Sequence, residues 1–137
     1  MHVLVVDDSS TIRRIIRQVL EAQFDASVEE AQGVGDALAL PGPFDLVVTD
    51  LLLPDRHGFS LLRELRARPD TARVPVIVVS VEVEPGTARE ALAAGASAFL
   101  GKPFRLRELA DAVGSALGAP IPAAGAGVSG SPPRIGR

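Results

Sequence analysis

Apolar positions recur along this chain with two alternating periods. His2-Val3-Leu4-Val5-Val6 is an unbroken apolar run of the kind that forms a strand buried on both faces. Asp7-Asp8-Ser9-Ser10-Thr11 then offers helix-capping residues. Ile12, Ile15, Ile16, Val19 and Leu20 follow at helical spacing and leave Arg13, Arg14, Arg17 and Gln18 for the outer face. Ala26 to Ala31 reads as a weaker, more exposed strand, and Asp36 to Leu40 as a short helix that Pro41-Gly42-Pro43 ends. Phe44 to Asp50 is a second buried strand, stopped by a carboxylate and, four residues on, by Pro54. After Gly58, the residues Phe59, Leu61, Leu62 and Leu65 predict a helix ending before Pro69. Val74 to Ser80 predicts a fourth strand, Thr87 to Ala94 an alanine-rich helix closed by Gly95, and Ala98 to Leu100 a brief strand. Leu106, Leu109, Ala110, Val113 and Leu117 mark the last helix.

Five strand-helix units in succession imply a parallel sheet with helices on both faces, because each crossover must be long and right-handed. Asp7, Asp8, Asp50, Ser80 and Lys102 then fall at or just beyond the carboxyl ends of the first, third, fourth and fifth strands, the edge where open α/β sheets bind ligands. Taken alone, Asp50 could be no more than an Asp that opens a turn, and Asp7-Asp8 no more than a capped helix start. As a set they carry chemistry. Three carboxylates converging on one edge repel one another and raise their pKa values unless a cation joins them. Hard oxygen ligands suit Mg²⁺, which takes one or two carboxylates and leaves room for phosphate oxygens. Lys102 adds a point charge for a phosphate and Ser80 a hydroxyl donor.

Composition narrows the function classes. The 137 residues suffice for one domain with a proper core. No run is long enough to span a membrane, and Met1-His2-Val3 enters a strand with no basic leader, so a soluble cytoplasmic protein without membrane attachment is expected. The absence of cysteine excludes disulfides and thiolate metal sites. A net charge of -3 with no Trp or Tyr gives neither a basic footprint nor stacking platforms, so direct nucleic-acid binding is not expected.

Val5-Val6-Asp7-Asp8-Ser9, Asp50 with Pro54 and Gly58, Val79-Ser80, and Phe99-Leu100-Gly101-Lys102-Pro103-Phe104 together resemble the receiver domain of two-component response regulators. Ser10 to Ile15 resembles the chemotaxis-type single-domain members in particular. The resemblance runs from His2 to about Leu117 and implies a flavodoxin-like (βα)5 sheet of order 2-1-3-4-5, a receiver domain over residues 1–117 and a cis Lys102-Pro103 bond. It implies further that Asp50 accepts a phosphoryl group from a sensor histidine kinase or phosphotransfer protein. Mg²⁺ would be held directly by Asp8, Asp50 and the backbone carbonyl of Leu52, and through water by Asp7. Lys102 would pair with one phosphoryl oxygen, and Ser80 would move to hydrogen-bond another, letting Phe99 turn inward. That movement would switch a surface on the fourth helix, fifth strand and fifth helix that an output protein reads, in a monomer or a phosphorylation-dependent dimer. On this view the chain is a phosphoacceptor signalling domain that catalyses its own phosphorylation and slow dephosphorylation.

Departures from the family pattern bear on rate. Leu53 replaces the usual Met, Val81 stands beside the pocket where a small residue is usual, and Leu52 stands where chemotaxis-type members carry a polar residue. Glu82, two after Ser80, is the one rate-modulating position able to orient water. Phe99 offers no hydroxyl to a partner, unlike the Tyr of many relatives. His57 is expected to be an exposed loop residue without function, and His2 to be structural. The Arg13, Arg14 and Arg17 face reads either as a docking face for an acidic partner or as a solvated face.

The stretch 118–137, of Gly, Ala, Pro and Ser with few large apolar residues, reads as a disordered tail or a linker to an output domain. Two other classes fit less well. A phosphatase with an aspartate nucleophile needs a second Asp two places on, where Leu52 stands. A flavodoxin-like nucleotide binder needs a first loop that welcomes anions, and Asp7-Asp8 repels them.

Overall fold

The computed structural model describes residues 1–118, so the tail expected over 118–137 lies, apart from Gly118, outside the described residues. The elements alternate as β1 (His2–Val6), α1 (Ser10–Phe24), β2 (Ser27–Ala31), α2 (Val34–Ala39), β3 (Leu46–Thr49), α3 (Gly58–Ala67), β4 (Val76–Ser80), α4 (Pro85–Ala93), β5 (Ala98–Gly101) and α5 (Leu106–Gly118). The strands form one parallel sheet of order β2-β1-β3-β4-β5, the order expected. Among the described residues, no helix is long and apolar enough to cross a membrane.

Strand alternation sorts the apolar residues into two layers. Leu4, Val6, Val47, Val76 and Val78 face a cluster completed by Val34, Leu61, Leu62, Leu65 and Ala91 of α2, α3 and α4. Val3, Val5, Leu46, Val48, Ile77 and Val79 face Ile16, Val19, Leu20, Leu109 and Val113 of α1 and α5. Fully burying each such aliphatic side chain contributes roughly 1.5–3 kcal/mol. Three central strands buried on both faces can therefore sustain a few kcal/mol of unfavourable charge at their ends.

Helix boundaries follow their caps. The Ser9 hydroxyl accepts from Ile12 N at 3.2 Å and starts α1, while Asp25, at φ 51°, ends it in the left-handed region. α4 begins two residues earlier than the periodicity suggests because Pro85 occupies its first turn, where a proline's fixed φ suits the helix and its missing N–H goes unneeded. α2 also begins two residues early, and its cap comes from a distant segment. The Asp55 carboxylate accepts from Val34 N and Gly35 N, each at 2.9 Å, and these bonds hold its pKa below the usual carboxylate value.

Two features bring the β3–α3 loop back over the sheet edge. Gly58 N donates to Leu51 O at 2.7 Å. A Cβ at Gly58 would run into the Asp50 carbonyl oxygen and Leu51 Cα, so only glycine permits this approach. The Lys102-Pro103 bond is cis, as the resemblance implies, and Gly42-Pro43 is cis as well.

Candidate functional site

The residues that immediately follow β1 and β3 deliver two carboxylates to one place. Asp7 N donates to Ala31 O at 3.1 Å and Asp50 N to Val6 O at 2.9 Å, so both backbones extend the ladder by one position before the chain turns away. Asp7 and Asp50 are buried, and Asp8 is exposed. One carboxylate oxygen from each of the three lies within 4.8 Å of the others.

Lys102, just beyond β5, reaches between the two buried acids. Its ammonium lies 2.9 Å from Asp7 Oδ2 and 2.8 Å from Asp50 Oδ2. Ser80 positions it, because Lys102 N donates to Ser80 O at 2.8 Å. The repulsion expected from the sequence is thus already met by a cation, one belonging to the chain itself. Burial pushes the Asp7 carboxyl above its usual pKa, against the hydrogen bonds from Lys102 and Ser9 N that lower it, with the nearby Asp50 adding a smaller push upward. Burial alone would lower the Lys102 pKa, but the hydrogen bonds to Asp50 and Asp7 outweigh it and hold the ammonium above its ordinary value.

Asp50 Oδ1 accepts from Leu51 N at 2.6 Å and Leu52 N at 3.2 Å, which fixes the carboxylate's plane. Ser80 is wholly buried at the end of β4, and its hydroxyl accepts from Glu82 N at 3.1 Å, tying it to the loop that leads to α4. Phe99 pairs with Val78 in the ladder and packs, partly buried, on the layer formed by α2, α3 and α4. Leu52 and Val81 are exposed on the β3–α3 and β4–α4 loops.

Two expectations need correction. Arg13 does not belong to the outer face of α1, since only 9% of it is exposed. It stands one turn before Ile16 on the inward side, where its guanidinium bonds Asp7 O and Glu30. Arg14 is exposed and Arg17 half-buried, so the continuous basic face dissolves. His57 is exposed in the loop before α3 as expected, but it does not lack partners. Its Nδ1 accepts from Phe59 N at 3.1 Å, capping α3, and its Nε2 lies 3.1 Å from Glu82 Oε1, joining the β3–α3 loop to the β4–α4 loop. Phe59 is two residues on, whereas Glu82 lies 25 positions away and outside any local sequence pattern.

The oxygen-only donor set, with Asp8 exposed beside two buried carboxylates, fits a hard divalent cation better than a thiolate- or imidazole-seeking metal.

A family model described as the response regulator receiver domain matches residues 3–114. Chemotaxis protein CheY-3 of Vibrio cholerae is 36% identical over 116 residues, covering 81% of this chain and 87% of that protein. The DNA-binding transcriptional regulator NtrC of Rhizobium meliloti is 38% identical over 120 residues, which cover 86% of this chain and 24% of that protein. Among solved structures, the chemotaxis response regulator CheY4 of Vibrio cholerae superposes with a TM-score of 0.78 at 30% identity, covering 85% of this chain and 98% of that one.

Proposed function

The chain belongs to the response regulator receiver family of two-component signalling, and from that premise we propose that Asp50 is its phosphoacceptor, with Asp7, Asp8, Ser80 and Lys102 completing the machinery. The observation that carries the proposal is the Lys102 ammonium shared between Asp7 and Asp50, with the Asp8 carboxylate beside them.

An Asp50 oxygen attacks the phosphorus of a phosphohistidine on a histidine kinase or phosphotransfer protein. The P–O bond forms as the P–N bond breaks, and the imidazole nitrogen leaves with the electron pair. Leu51 N and Leu52 N hold one oxygen of the attacking group and so fix its aim. Lys102 already touches the other oxygen and has to move only from carboxylate to phosphoryl oxygen as charge accumulates there. Asp7, Asp8, Asp50 and the Leu52 carbonyl are the groups that would hold Mg²⁺, which would supply Lewis-acid stabilisation of the same charge.

For Ser80 to reach a phosphoryl oxygen it gives up the Glu82 amide, and the loop after β4 moves with it. The His57–Glu82 pair resists weakly. Both side chains are more than a third exposed, and pairs of that kind contribute less than about 1 kcal/mol. Phosphorylation can therefore bias the loop, and with it the α4, β5 and α5 surface offered to an output protein, through contacts that only the phosphorylated form makes.

The test is incubation with acetyl phosphate and Mg²⁺ followed by intact mass. One phosphoryl group per chain is expected, and borohydride reduction with peptide mapping should place it on Asp50. Turnover of many phosphate esters without a stable adduct would favour an aspartate-nucleophile phosphatase instead. No adduct from acetyl phosphate or from a cognate kinase would overturn the assignment.

The phosphorylated form should be long-lived. Leu52 cannot orient a water toward the Asp50 phosphoryl bond, and Glu82, which could, is engaged by His57. Leu52→Asn should speed dephosphorylation a few-fold to about tenfold, roughly 1 kcal/mol of barrier. Decay of the phosphorylated species at fixed Mg²⁺ measures it, and equal or slower decay would count against the water argument.

A further inference from the structure

The buried guanidinium of Arg13 has no part in the phosphoryl transfer described above, yet it ties the acidic loop after β1 to β2. Nη1 donates to Asp7 O at 2.5 Å, and Nε donates to Glu30 Oε1 at 2.6 Å. Glu30 also faces a second arginine, in ion-pair contact without a hydrogen bond from its Nε. It lies in β2 opposite Val5, and its other oxygen is 3.0 Å from Arg17 Nε, while Arg17 Nη2 donates to Val28 O.

Asp7 O belongs to the peptide that joins Asp7 to Asp8. That peptide is planar, so fixing the direction of its carbonyl fixes the position of the Asp8 nitrogen and the direction in which Asp8 leaves the strand. The other polar groups of Asp7 are already held, its N–H by Ala31 O, Oδ1 by Ser9 N and Oδ2 by Lys102. Asp8 itself is exposed.

We propose that Arg13 is a positioning residue that aims the Asp8 carboxylate into the metal site through the Asp7–Asp8 peptide plane, with Glu30 locking the guanidinium in place. The inference rests on the reading that Asp8 and Asp50 hold Mg²⁺. It concerns geometry, and charge supplies the means to separate the two. A cation beside a metal site weakens cation binding by repulsion, so removing the Arg13 charge should tighten Mg²⁺ binding if charge were its only influence. Loss of aim should weaken it. Lysine keeps the charge but lacks the planar fork that spans a carbonyl and a carboxylate together.

The experiment is Mg²⁺ titration of the full chain, followed by calorimetry and by amide chemical shifts. Arg13→Lys and Arg13→Gln should both raise the Mg²⁺ dissociation constant, by about tenfold, the low end of what displaced outer partners of metal ligands cost. Arg17→Gln loosens Glu30 without touching Asp7, so it should raise the constant by less than Arg13→Lys does. In an Asp8→Ala background, Arg13→Lys should add nothing further, since the ligand it aims is gone. In metal-free protein the Asp8 and Ser9 amides should exchange faster in Arg13→Lys than in wild type. A role confined to packing would lower thermal stability and leave Mg²⁺ affinity and the Asp8→Ala coupling unmoved. Wild-type affinity in Arg13→Lys together with equal or tighter binding in Arg13→Gln would overturn the inference alone. A wild-type chain that binds no Mg²⁺ would overturn the metal assignment beneath it and the inference with it. If Arg13→Gln fails to fold, Arg13→Lys with its Asp8→Ala partner decides the matter.

Discussion

Asp8→Ala should reduce phosphoryl uptake at Asp50 by roughly a hundredfold or more at millimolar Mg²⁺ while leaving the fold intact, because Mg²⁺ polarising a phosphoryl oxygen supplies several kcal/mol and each 1.36 kcal/mol is tenfold in rate. Of the adjacent pair, only Asp8 is free to give its carboxylate to a metal. Asp7 is buried and accepts from Ser9 N and Lys102, so its replacement would leave a part-buried N–H without its acceptor and the ammonium with Asp50 alone. Asp8 is exposed and lies within 4.8 Å of two other carboxylates, so its removal relieves repulsion and the thermal midpoint should stay level or rise. With no Trp in the chain, Mg²⁺ affinity is best followed by calorimetry or NMR. Wild-type affinity in Asp8→Ala would remove this residue from the site.

The contrast between these neighbours marks what the sequence could convey. Strand ends were legible, because an apolar run that stops at a polar residue reports where a buried strand leaves the core. The sequence alone therefore places Asp7, Asp8, Asp50, Ser80 and Lys102 on one edge. The two-layer core was legible for the same reason. Asp55 capping α2, Glu30 holding Arg13 and Glu82 facing His57 were not, since each joins residues 17 to 25 positions apart through loop paths with no period of their own. Arg13 misled for a definite cause. Helical spacing placed it on the outer side by residue type, whereas its position three before Ile16 puts it on the inner side, where an arginine is tolerated only because a carbonyl and a carboxylate await it. A basic residue one turn ahead of a buried aliphatic, with Glu29 and Glu30 in the neighbouring edge strand, was the signal available.

Lys102→Met should destabilise the metal-free chain at neutral pH by on the order of 3 kcal/mol, the cost of leaving buried charge without its partner. The side chains concerned are 13%, 2% and 7% exposed for Lys102, Asp7 and Asp50, so water cannot stand in for the ammonium. The loss should depend on pH in a definite sense. Burial already raises the Asp7 pKa, and Lys102 is the chief influence that lowers it, so the substitution raises it further. An acid whose folded pKa exceeds its unfolded value costs nothing below the unfolded value, and the cost grows as pH rises through the folded one. The deficit should accordingly shrink as the pH is taken down toward 4. In the wild type the raised Lys102 pKa works in the opposite range, its contribution being full below 10.5 and lost as pH rises through the folded value. Mg²⁺ should restore much of the deficit, since a ligand at a hundredfold over its dissociation constant adds about 2.7 kcal/mol to the folded state. It should also stabilise Lys102→Met more than wild type, because in the variant no ammonium competes for Asp7 and Asp50. Urea unfolding of both chains at pH 4 and pH 7, with and without Mg²⁺, reads all of this. A Lys102→Met chain as stable as wild type at pH 7, or one that Mg²⁺ stabilises no more than wild type, would show that the ammonium is not what reconciles these two carboxylates.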